Sequence, residues 1–265
     1  MAERNFRARY GRWALIAGAS EGLGAAFAEE LGAQGLDLVL LARRADKLEA
    51  VAAQVRARCG VAVHTAAVDL AAADLREQVR AAVGDREVGL LVYNAAHSTI
   101  GPFLEQPVEA LTRTIDVNCR GPVILAHELG RAMAARRRGG IVLMASLAGT
   151  QGSALLATYA ASKAFDLVLA EALWAELREA GVDVLACRAG ATRTPNYLQT
   201  KPRASAPAME PEEVVREALG ALGRGPSVVT GVTNRLAAFV LGRVLPRRAA
   251  VALMARQMKK MYGRE

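Results

Sequence analysis

The sequence is poor in the residues that build disulfide scaffolds and metal centres. Its 265 residues include three cysteines and three histidines, scattered along the chain, and no Cys-x-x-Cys pair. An odd number of isolated cysteines argues against a disulfide framework and against zinc, and it favours free thiols in a reducing compartment. We therefore predict no metal site and a cytoplasmic location.

Long apolar runs are also missing. No stretch approaches the roughly 20 apolar residues that a membrane-spanning helix needs. The residues between Met1 and Arg12 are mostly polar and basic, so we expect no secretory leader. A hydrophobic fraction of 52% and a mean hydropathy of +0.17 nevertheless predict one large globular domain with a substantial core rather than a disordered chain.

The net charge of +8 is concentrated at one end of the chain. Residues 235–265 hold eight Lys or Arg and one acid, Glu265, which leaves 26 of the 34 basic and 25 of the 26 acidic residues for the rest. Because the basic residues lack an interleaved aromatic platform, we do not expect nucleic-acid binding.

Short β-rich apolar runs alternate with longer helical patterns along most of the chain. Near-continuous apolar strands separated by helices indicate a parallel sheet that is covered on both faces. Right-handed crossovers then give an α/β, Rossmann-type, doubly wound sheet of about seven strands in a single domain, with ligands outside the carboxyl ends of the strands. The predicted strands are Trp13–Ala17, Asp37–Ala42, Val61–Val68, Leu90–Tyr93, Ile141–Ala145, Val182–Arg188 and Ser227–Val229, and the predicted helices are Gly22–Gln34, Asp46–Cys59, Ala71–Val83, Val108–Arg138, Leu155–Ala180 and Pro211–Leu222.

The segment Thr192–Pro211 breaks this rhythm with four prolines, Pro195, Pro202, Pro207 and Pro211. We predict a long irregular loop there, of the kind that often forms an active-site lid.

A glycine-rich turn, Gly18-Ala19-Ser20-Glu21-Gly22-Leu23-Gly24, follows the first predicted strand and opens the first predicted helix. Glycines at such a turn let the backbone approach a pyrophosphate at a helix N-terminus, where the amides and the helix dipole favour negative charge. A plain strand-to-helix connection is the alternative. Glu21 stands against phosphate binding, because a carboxylate there would repel it.

The second predicted strand is followed by Arg43 and Arg44, and no acid stands at its carboxyl end. Dinucleotide sites carry at this point either an acid for the ribose 2′-hydroxyl or an arginine for a 2′-phosphate. The pair therefore favours NADP(H) over NAD(H), with a solvated arginine pair as the alternative.

Tyr159 and Lys163 are four residues apart in a predicted helix, with Ser146 thirteen positions before the tyrosine. The spacing puts both side chains on one helix face. A nearby ammonium favours the phenolate form of tyrosine, whose ordinary pKa is about 10, and so suits Tyr159 to general acid/base work. Ser146 would hydrogen-bond the same substrate oxygen.

Taken in order, Gly18-x-x-x-Gly22-x-Gly24, Asn94-Ala95-Ala96, Asn118, Ser146 and Tyr159-x-x-x-Lys163 resemble the single-domain branch of the short-chain dehydrogenase/reductase family. The resemblance covers roughly residues 10–235. It implies NAD(P)-dependent reduction of ketones or oxidation of alcohols.

The resemblance also implies a role for each matching residue. Tyr159 would exchange the proton at the substrate oxygen, Lys163 would bind the nicotinamide ribose, and Ser146 would polarise the carbonyl. Asn118 would hold a water that links Lys163 to solvent. The expected cofactor-binding residues are Gly18, Ser20, Glu21, Gly22, Leu23, Gly24, Arg43, Arg44, Asp69, Leu70, Asn94, Ala95, Ala96, Tyr159, Lys163, Gly190 and Thr192.

We expect residues 1–234 to form the dinucleotide-binding and catalytic domain and residues 235–265 to form a basic, amphipathic, helical extension. Met254, Met258 and Met261 fall on one face of its last helix. Three interpretations of the extension remain open: packing within the domain or on a partner subunit, closure over the substrate pocket, and weak peripheral contact with an anionic membrane surface.

We therefore predict an NADP(H)-dependent enzyme that interconverts a small-molecule ketone or aldehyde and an alcohol. A lipophilic substrate and a homodimer or homotetramer are expected. The alternatives are a non-catalytic NADP-binding sensor or scaffold of the same fold and, within the enzymes, a reductase of long-chain 3-oxoacyl thioesters.

Overall fold

The structure, a computed structural model, describes residues 6–200 and 208–263. Seven parallel strands form one sheet in the order β3-β2-β1-β4-β5-β6-β7, which confirms the predicted Rossmann-type architecture. The strands are β1 Trp13–Ala17, β2 Asp37–Ala42, β3 Val63–Ala67, β4 Val88–Tyr93, β5 Gly139–Ser146, β6 Val182–Ala189 and β7 Ser227–Val229.

Helices connect the strands and cover the sheet on both sides. They are α1 Phe6–Tyr10, α2 Gly22–Ala33, α3 Ala45–Cys59, α4 Leu75–Val83, α5 Val108–Ile115, α6 Gly121–Ala135, α7 Ala157–Leu177, α8 Pro195–Gln199, α9 Pro211–Ala221, α10 Val232–Phe239 and α11 Arg247–Tyr262.

Successive side chains of each strand point to opposite faces of the sheet, so the core is divided into two layers. In β1, Ala14 and Ile16 face a layer that includes Phe27 of α2, whereas Leu15 and Ala17 face a layer that includes Leu125 of α6. Both layers consist of fully buried apolar side chains, as expected for a parallel sheet covered by helices on both faces.

The long helix predicted over Val108–Arg138 contains a π-helical turn in the structure and ends earlier, at Ala135. α5 ends at Ile115, a π-helical turn spans Asp116–Arg120, and α6 then runs from Gly121 to Ala135. Pro122 lies in the first turn of α6 and has no N–H to donate to the carbonyl oxygen four residues earlier, as a regular α-helix would require. The backbone nevertheless stays helical through the π-helical turn.

Other boundaries differ by smaller amounts. The strand predicted over Val61–Val68 is shorter, and the helix predicted from Ala71 begins at Leu75. The loop predicted over Thr192–Pro211 contains the short helix α8, whose first turn is capped by the Thr194 hydroxyl, which accepts a hydrogen bond from Tyr197 N at 3.2 Å. Residues 201–207 of that loop lie outside the described residues.

None of the helices in the described ranges is both long enough and apolar enough to cross a membrane. Over the same residues, no three His, Cys, Asp or Glu side chains are grouped so that they could hold a metal ion. Cys59, Cys119 and Cys187 are free thiols.

Gly89 provides a test of how β4 is packed. The pairing of β1 with β4 shifts register around this residue, and a Cβ atom added there would lie 1.4 Å from the carbonyl oxygen of Tyr10 in α1. We expect Gly89→Ala to lower the free energy of unfolding by about 1–3 kcal/mol, because α1 must move away.

Gly220, in α9, is the matched control, since a Cβ atom added there meets nothing within 4 Å. Gly220→Ala should leave stability unchanged or raise it by up to about 1 kcal/mol through helix propensity. Thermal or denaturant unfolding of both variants measures the difference, and equal effects of the two substitutions would contradict the packing described for β4.

Candidate active site

A cavity of about 680 Å³ lies at the carboxyl end of the sheet. Its walls include the residues that follow β1, β2 and β4, together with the ends of β5 and β6. Strand order reverses between β1 and β4, so the cavity lies where ligands bind in doubly wound folds.

The glycine-rich turn is packed too tightly for side chains. Gly18 has a φ of +85°, and a Cβ atom added there would lie 2.7 Å from the backbone of Ala95. A Cβ atom on Gly24 would lie 2.0 Å from the Gly18 carbonyl oxygen, which already accepts a hydrogen bond from Asn94 Nδ2 at 2.9 Å. At Gly18 and Gly22 the turn therefore presents bare backbone to the cavity.

The N-terminus of α2 opens on the same part of the cavity. Its N-cap residue, Glu21, makes no side-chain cap, so the first amides of the helix are not satisfied by a capping side chain. Instead, the Glu21 carboxylate pairs with Arg44 at 2.8 Å and with Lys47 at 3.4 Å. Bare backbone at a helix N-terminus and a compensated carboxylate fit the pyrophosphate of a dinucleotide.

Arg43 and Arg44 differ in their surroundings although they are neighbours. Arg44 is engaged by Glu21. Arg43 also lines the cavity, and within the described residues no ion pair is formed by its guanidinium. Arg43 is thus the arginine that remains available for an anionic ligand group.

Asp69, which follows β3, is held by an arginine that the sequence pattern did not single out. Nη2 of Arg113 lies 2.8 and 2.9 Å from its two carboxylate oxygens, and the backbone N–H of Ala71 donates to Oδ1 at 3.0 Å. Burial alone would raise the pKa of Asp69, but these donors hold the pKa below its ordinary value. The charged carboxylate and Arg113 both face the cavity.

Three of the four predicted catalytic side chains meet on the cavity wall. Ser146 is the last residue of β5, and its hydroxyl accepts a hydrogen bond from Ala148 N at 3.2 Å. Tyr159 and Lys163 lie one turn apart on α7, with the lysine Nζ 5.9 Å from the centre of the tyrosine ring. The predicted helical spacing therefore places the ammonium beside the phenol.

Lys163 is buried and paired with an acid that sequence reasoning missed. Its Nζ donates to the Met144 carbonyl oxygen at 2.6 Å and to Asp166 Oδ2 at 2.8 Å. Burial alone would lower the pKa of Lys163, but the carboxylate of Asp166 and the neighbouring Tyr159 raise it above its ordinary value. The signal in the sequence was the i, i+3 spacing of Lys163 and Asp166 on an otherwise apolar helix face.

Asn118, the fourth predicted catalytic residue, lies behind the cavity rather than on its wall. It is fully buried in the π-helical turn. Its amide accepts from His97 N at 2.7 Å and donates to His97 O and Ser162 Oγ, both at 2.9 Å. The side chain thus fixes the backbone of His97, which faces the cavity, and its expected role in holding a water stays a prediction.

The C-terminal extension forms a wall of the cavity. Met254, Met258, Met261 and Tyr262 of α11 line it. The start of α11 is tied to the loop after Ser146, because Arg247 Nη1 donates to the Thr150 carbonyl oxygen at 2.7 Å. Of the three interpretations left open by the sequence, the structure therefore shows contact of the extension with the cavity of its own chain.

Apart from Gly24 and Asn118, every residue of the predicted site lies on the cavity wall. These are Gly18, Ser20, Glu21, Gly22, Leu23, Arg43, Arg44, Asp69, Leu70, Asn94, Ala95, Ala96, Ser146, Tyr159, Lys163, Gly190 and Thr192. The glycine turn and the pair Tyr159–Lys163 are thus parts of one site.

Comparison with known families agrees with this arrangement. Residues 12–204 match the family model described as short chain dehydrogenase. The chain belongs to the short-chain dehydrogenase family. It is therefore an NAD(P)-dependent oxidoreductase that acts on carbonyl and alcohol groups of small molecules, in a family whose members are often oligomeric.

Two groups of characterised relatives of this short-chain dehydrogenase are informative. A 7beta-hydroxysteroid dehydrogenase of Collinsella aerofaciens is 34% identical over 237 residues, which cover 87% of this chain and 90% of that protein. A very-long-chain 3-oxoacyl-CoA reductase of Phaeosphaeria nodorum is 34% identical over 220 residues, which cover 81% of this chain and 64% of that protein.

Solved structures include similar chains. A 7beta-hydroxysteroid dehydrogenase superposes with a TM-score of 0.89 at 32% identity, covering 94% of this chain and 99% of that one. A short-chain dehydrogenase from Sphingobium yanoikuyae in complex with NADPH superposes with a TM-score of 0.77 at 33% identity, covering 86% and 92% of the two chains.

Proposed function

We propose that this enzyme is an NADP(H)-dependent reductase and dehydrogenase of bulky, apolar ketones and alcohols, with Tyr159 as its general acid/base. The observation that carries the proposal is the position of Ser146, Tyr159 and Lys163. They line one cavity with the glycine-rich turn and with an apolar wall from α11.

In the proposed reaction, the Tyr159 hydroxyl gives its proton to the substrate oxygen during reduction and takes it back during oxidation. The Ser146 hydroxyl donates to the same oxygen and orients it. The buried ammonium of Lys163 favours the phenolate, and its third N–H is available for a ribose hydroxyl of the cofactor. When bound, the nicotinamide supplies or accepts the hydride.

The preference for NADP(H) is supported by the difference between Arg43 and Arg44. Since Arg44 compensates Glu21, Arg43 is the residue proposed to contact a 2′-phosphate. A similar short-chain dehydrogenase has been solved with NADPH, which agrees with this choice.

The remaining cofactor contacts are proposed along the same wall. Gly18, Gly22 and the first turn of α2 would hold the pyrophosphate, and Asp69 and Leu70 the adenine side. Gly190 and Thr192 would face the nicotinamide.

The class of substrate is proposed from the chemistry of the cavity. Methionine side chains of α11 and apolar residues such as Leu156 and Leu241 line it, which suits a large apolar body that carries one reactive oxygen. The hydroxysteroid relatives favour a rigid polycyclic ketone, whereas the 3-oxoacyl-CoA reductase relatives support a long-chain 3-oxoacyl thioester as the second candidate.

The assignment of Tyr159 makes a direct prediction. We expect Tyr159→Phe to lower kcat at least about 100-fold, because the proton donor is lost, while the Kd for NADPH changes less than about threefold. NADPH oxidation with hydroxysteroid-type ketones and 3-oxoacyl thioesters measures the first quantity, and NADPH fluorescence titration measures the second.

Tyr262→Phe is the matched control, because Tyr262 lines the same cavity from α11. This substitution should leave proton transfer intact. Retained turnover in Tyr159→Phe would refute the proposed function. Loss of NADPH binding in the same variant would show a structural rather than a chemical role.

The cofactor proposal predicts a change of selectivity. We expect Arg43→Ala to weaken NADPH binding roughly 10- to 100-fold and to leave NADH binding nearly unchanged, because a charge-assisted hydrogen bond to the 2′-phosphate is worth about 1.5–3 kcal/mol. Arg44→Ala is the control and should alter both affinities by the same factor, because Glu21 then keeps only its longer contact with Lys47. An unchanged NADPH/NADH ratio in Arg43→Ala would contradict the assignment.

Two exposed apolar surfaces suggest partners. The first, here the α5–α7 face, comprises Ile115, Val123, Phe165 and Val168, which are exposed on neighbouring helices. We propose that it pairs with a second copy to form a homodimer or homotetramer, because an apolar helix face of this kind is stabilised by burial.

The second surface, here the α10 face, comprises Val232, Leu236 and Phe239, which are 74%, 65% and 59% exposed. Leu236 and Phe239 of this surface belong to the extension, which also carries Arg243, Arg248, Lys259 and Lys260. Like charges would oppose contact with a second copy, so we propose weak peripheral contact with an anionic membrane surface beside the cavity.

One experiment tests the roles of the two surfaces separately, because the variant of each surface serves as the control for the other. Val168→Ser should shift the mass measured by light scattering towards the monomer and leave binding to phosphatidylserine vesicles unchanged. Phe239→Ser should reduce vesicle co-sedimentation several-fold at low salt without changing the mass. Absence of co-sedimentation by the unmodified enzyme at low salt would refute the membrane contact, and a monomeric unmodified enzyme would refute the oligomer.

We propose a reducing, cytoplasmic location for the enzyme. It is supported by Cys59, Cys119 and Cys187, which are all free.

A further inference from the structure

The ammonium of Lys163 and the carboxylate of Asp166 form an ion pair inside the protein. Their side chains are 4% and 2% exposed, and the Nζ to Oδ2 distance is 2.8 Å. The other carboxylate oxygen, Oδ1, is buried and has no hydrogen-bond partner among the described residues. Lys163 is therefore the main partner of this carboxylate.

Burial of this kind is costly for both charges. An isolated buried ammonium tends to lose its proton, because desolvation disfavours the charged form. Removal of one partner from a buried ion pair leaves the other charge uncompensated. The protonation of Lys163 and the presence of Asp166 are thus coupled.

Tyr159, on the same helix, brings a negative charge near the ammonium only in its phenolate form. The other groups that face the pair are neutral near pH 7. Burial raises the pKa of Cys119, in the π-helical turn, to about 11, so its thiol is neutral near pH 7. Burial also raises the pKa of Tyr93, in β4, whose hydroxyl donates to the Val117 carbonyl oxygen.

On the strand side, β5 contributes a neutral group, the Met144 carbonyl oxygen that accepts from Lys163. Arg120, the cation that acts on Tyr93, is paired with Asp116 at 3.0 Å. Within the described residues, Asp166 is therefore the carboxylate in contact with the ammonium.

We infer that Asp166 is a positioning residue that keeps Lys163 protonated and directed towards the cavity. The inference rests on the proposed role of Tyr159. Asp166 and Met144 O take two of the three N–H donors of Lys163, which leaves one donor for the cofactor side. Asp166 thereby supports the phenolate of Tyr159 through the lysine, without contact with the substrate.

The test is the pH profile of alcohol oxidation with NADP⁺. Activity should increase as pH rises, because oxidation of an alcohol needs a base that takes the proton of the substrate hydroxyl. In Asp166→Asn we expect the buried lysine to become neutral, so that it no longer favours the phenolate of Tyr159. The rising limb of the pH–activity curve should then move to higher pH by about one unit or more. Near pH 7.5, kcat should fall about tenfold. Asp166→Glu, which restores a carboxylate, should return most of the shift.

A double-mutant cycle shows whether Asp166 acts through Lys163. In a Lys163→Met background, Asp166→Asn should cause no further shift of the limb. Asp37→Asn is the matched control, since Asp37 is likewise a buried carboxylate in an ion pair, here with Arg12. It lies at the first residue of β2, at the end of the strand away from the cavity. The substitution should lower stability without moving the limb.

An unchanged limb in folded Asp166→Asn, or a shift to lower pH, would overturn the inference. If Asp166→Asn does not fold, the inference can still be tested with the unmodified enzyme. Its affinity for NADPH should stay constant up to about pH 9.5. A loss of affinity with a midpoint below pH 9 would show that Lys163 is not kept protonated. Retained turnover in Tyr159→Phe would instead refute the proposed function, so the two failures are distinguishable.

Discussion

The site depends on the close approach of two strand ends, those of β1 and β4. Asn94 N and Ala95 N both donate to the Ala17 carbonyl oxygen, at 3.0 and 2.9 Å, and Asn94 Nδ2 donates to Gly18 O. The contact leaves no room for a Cβ atom at Gly18 or Gly24. Because strand order reverses at this point, the connections diverge to opposite faces of the sheet and leave a crevice between them.

A second constraint concerns the burial of charge beside the crevice. α7 is predominantly apolar where it packs on the sheet, yet it carries Lys163 and Asp166 into the interior. Such a pair contributes little to stability by itself, because desolvation opposes the attraction. The proposed role of Tyr159 gives a reason for a buried ion pair beside the cavity that folding stability alone does not give.

The π-helical turn and the C-terminal extension complete the site. The turn brings Asn118 beneath the backbone of His97. α11 covers the cavity with methionine side chains, which adapt to ligands of different shape. The side of the cavity proposed for the nucleotide therefore includes a close-packed glycine-rich turn, whereas the side proposed for the substrate includes flexible apolar side chains.

The sequence by itself determined the parallel sheet, the glycine-rich turn and the pairing of Tyr159 with Lys163, because these depend on local periodicity and on spacing along one element. It also indicated Arg43 as a cofactor residue, but the distinction between Arg43 and Arg44 required the contact of Glu21 with Arg44, which joins two helices.

Only the tertiary structure decided the rest, because those contacts join residues that are far apart in the chain. The pairing of Arg113 with Asp69, the hydrogen bonds of Asn118 to His97, and the position of α11 against the cavity all belong to this group. A periodic pattern shows which side of a helix is apolar, but it does not show which surface that side will meet.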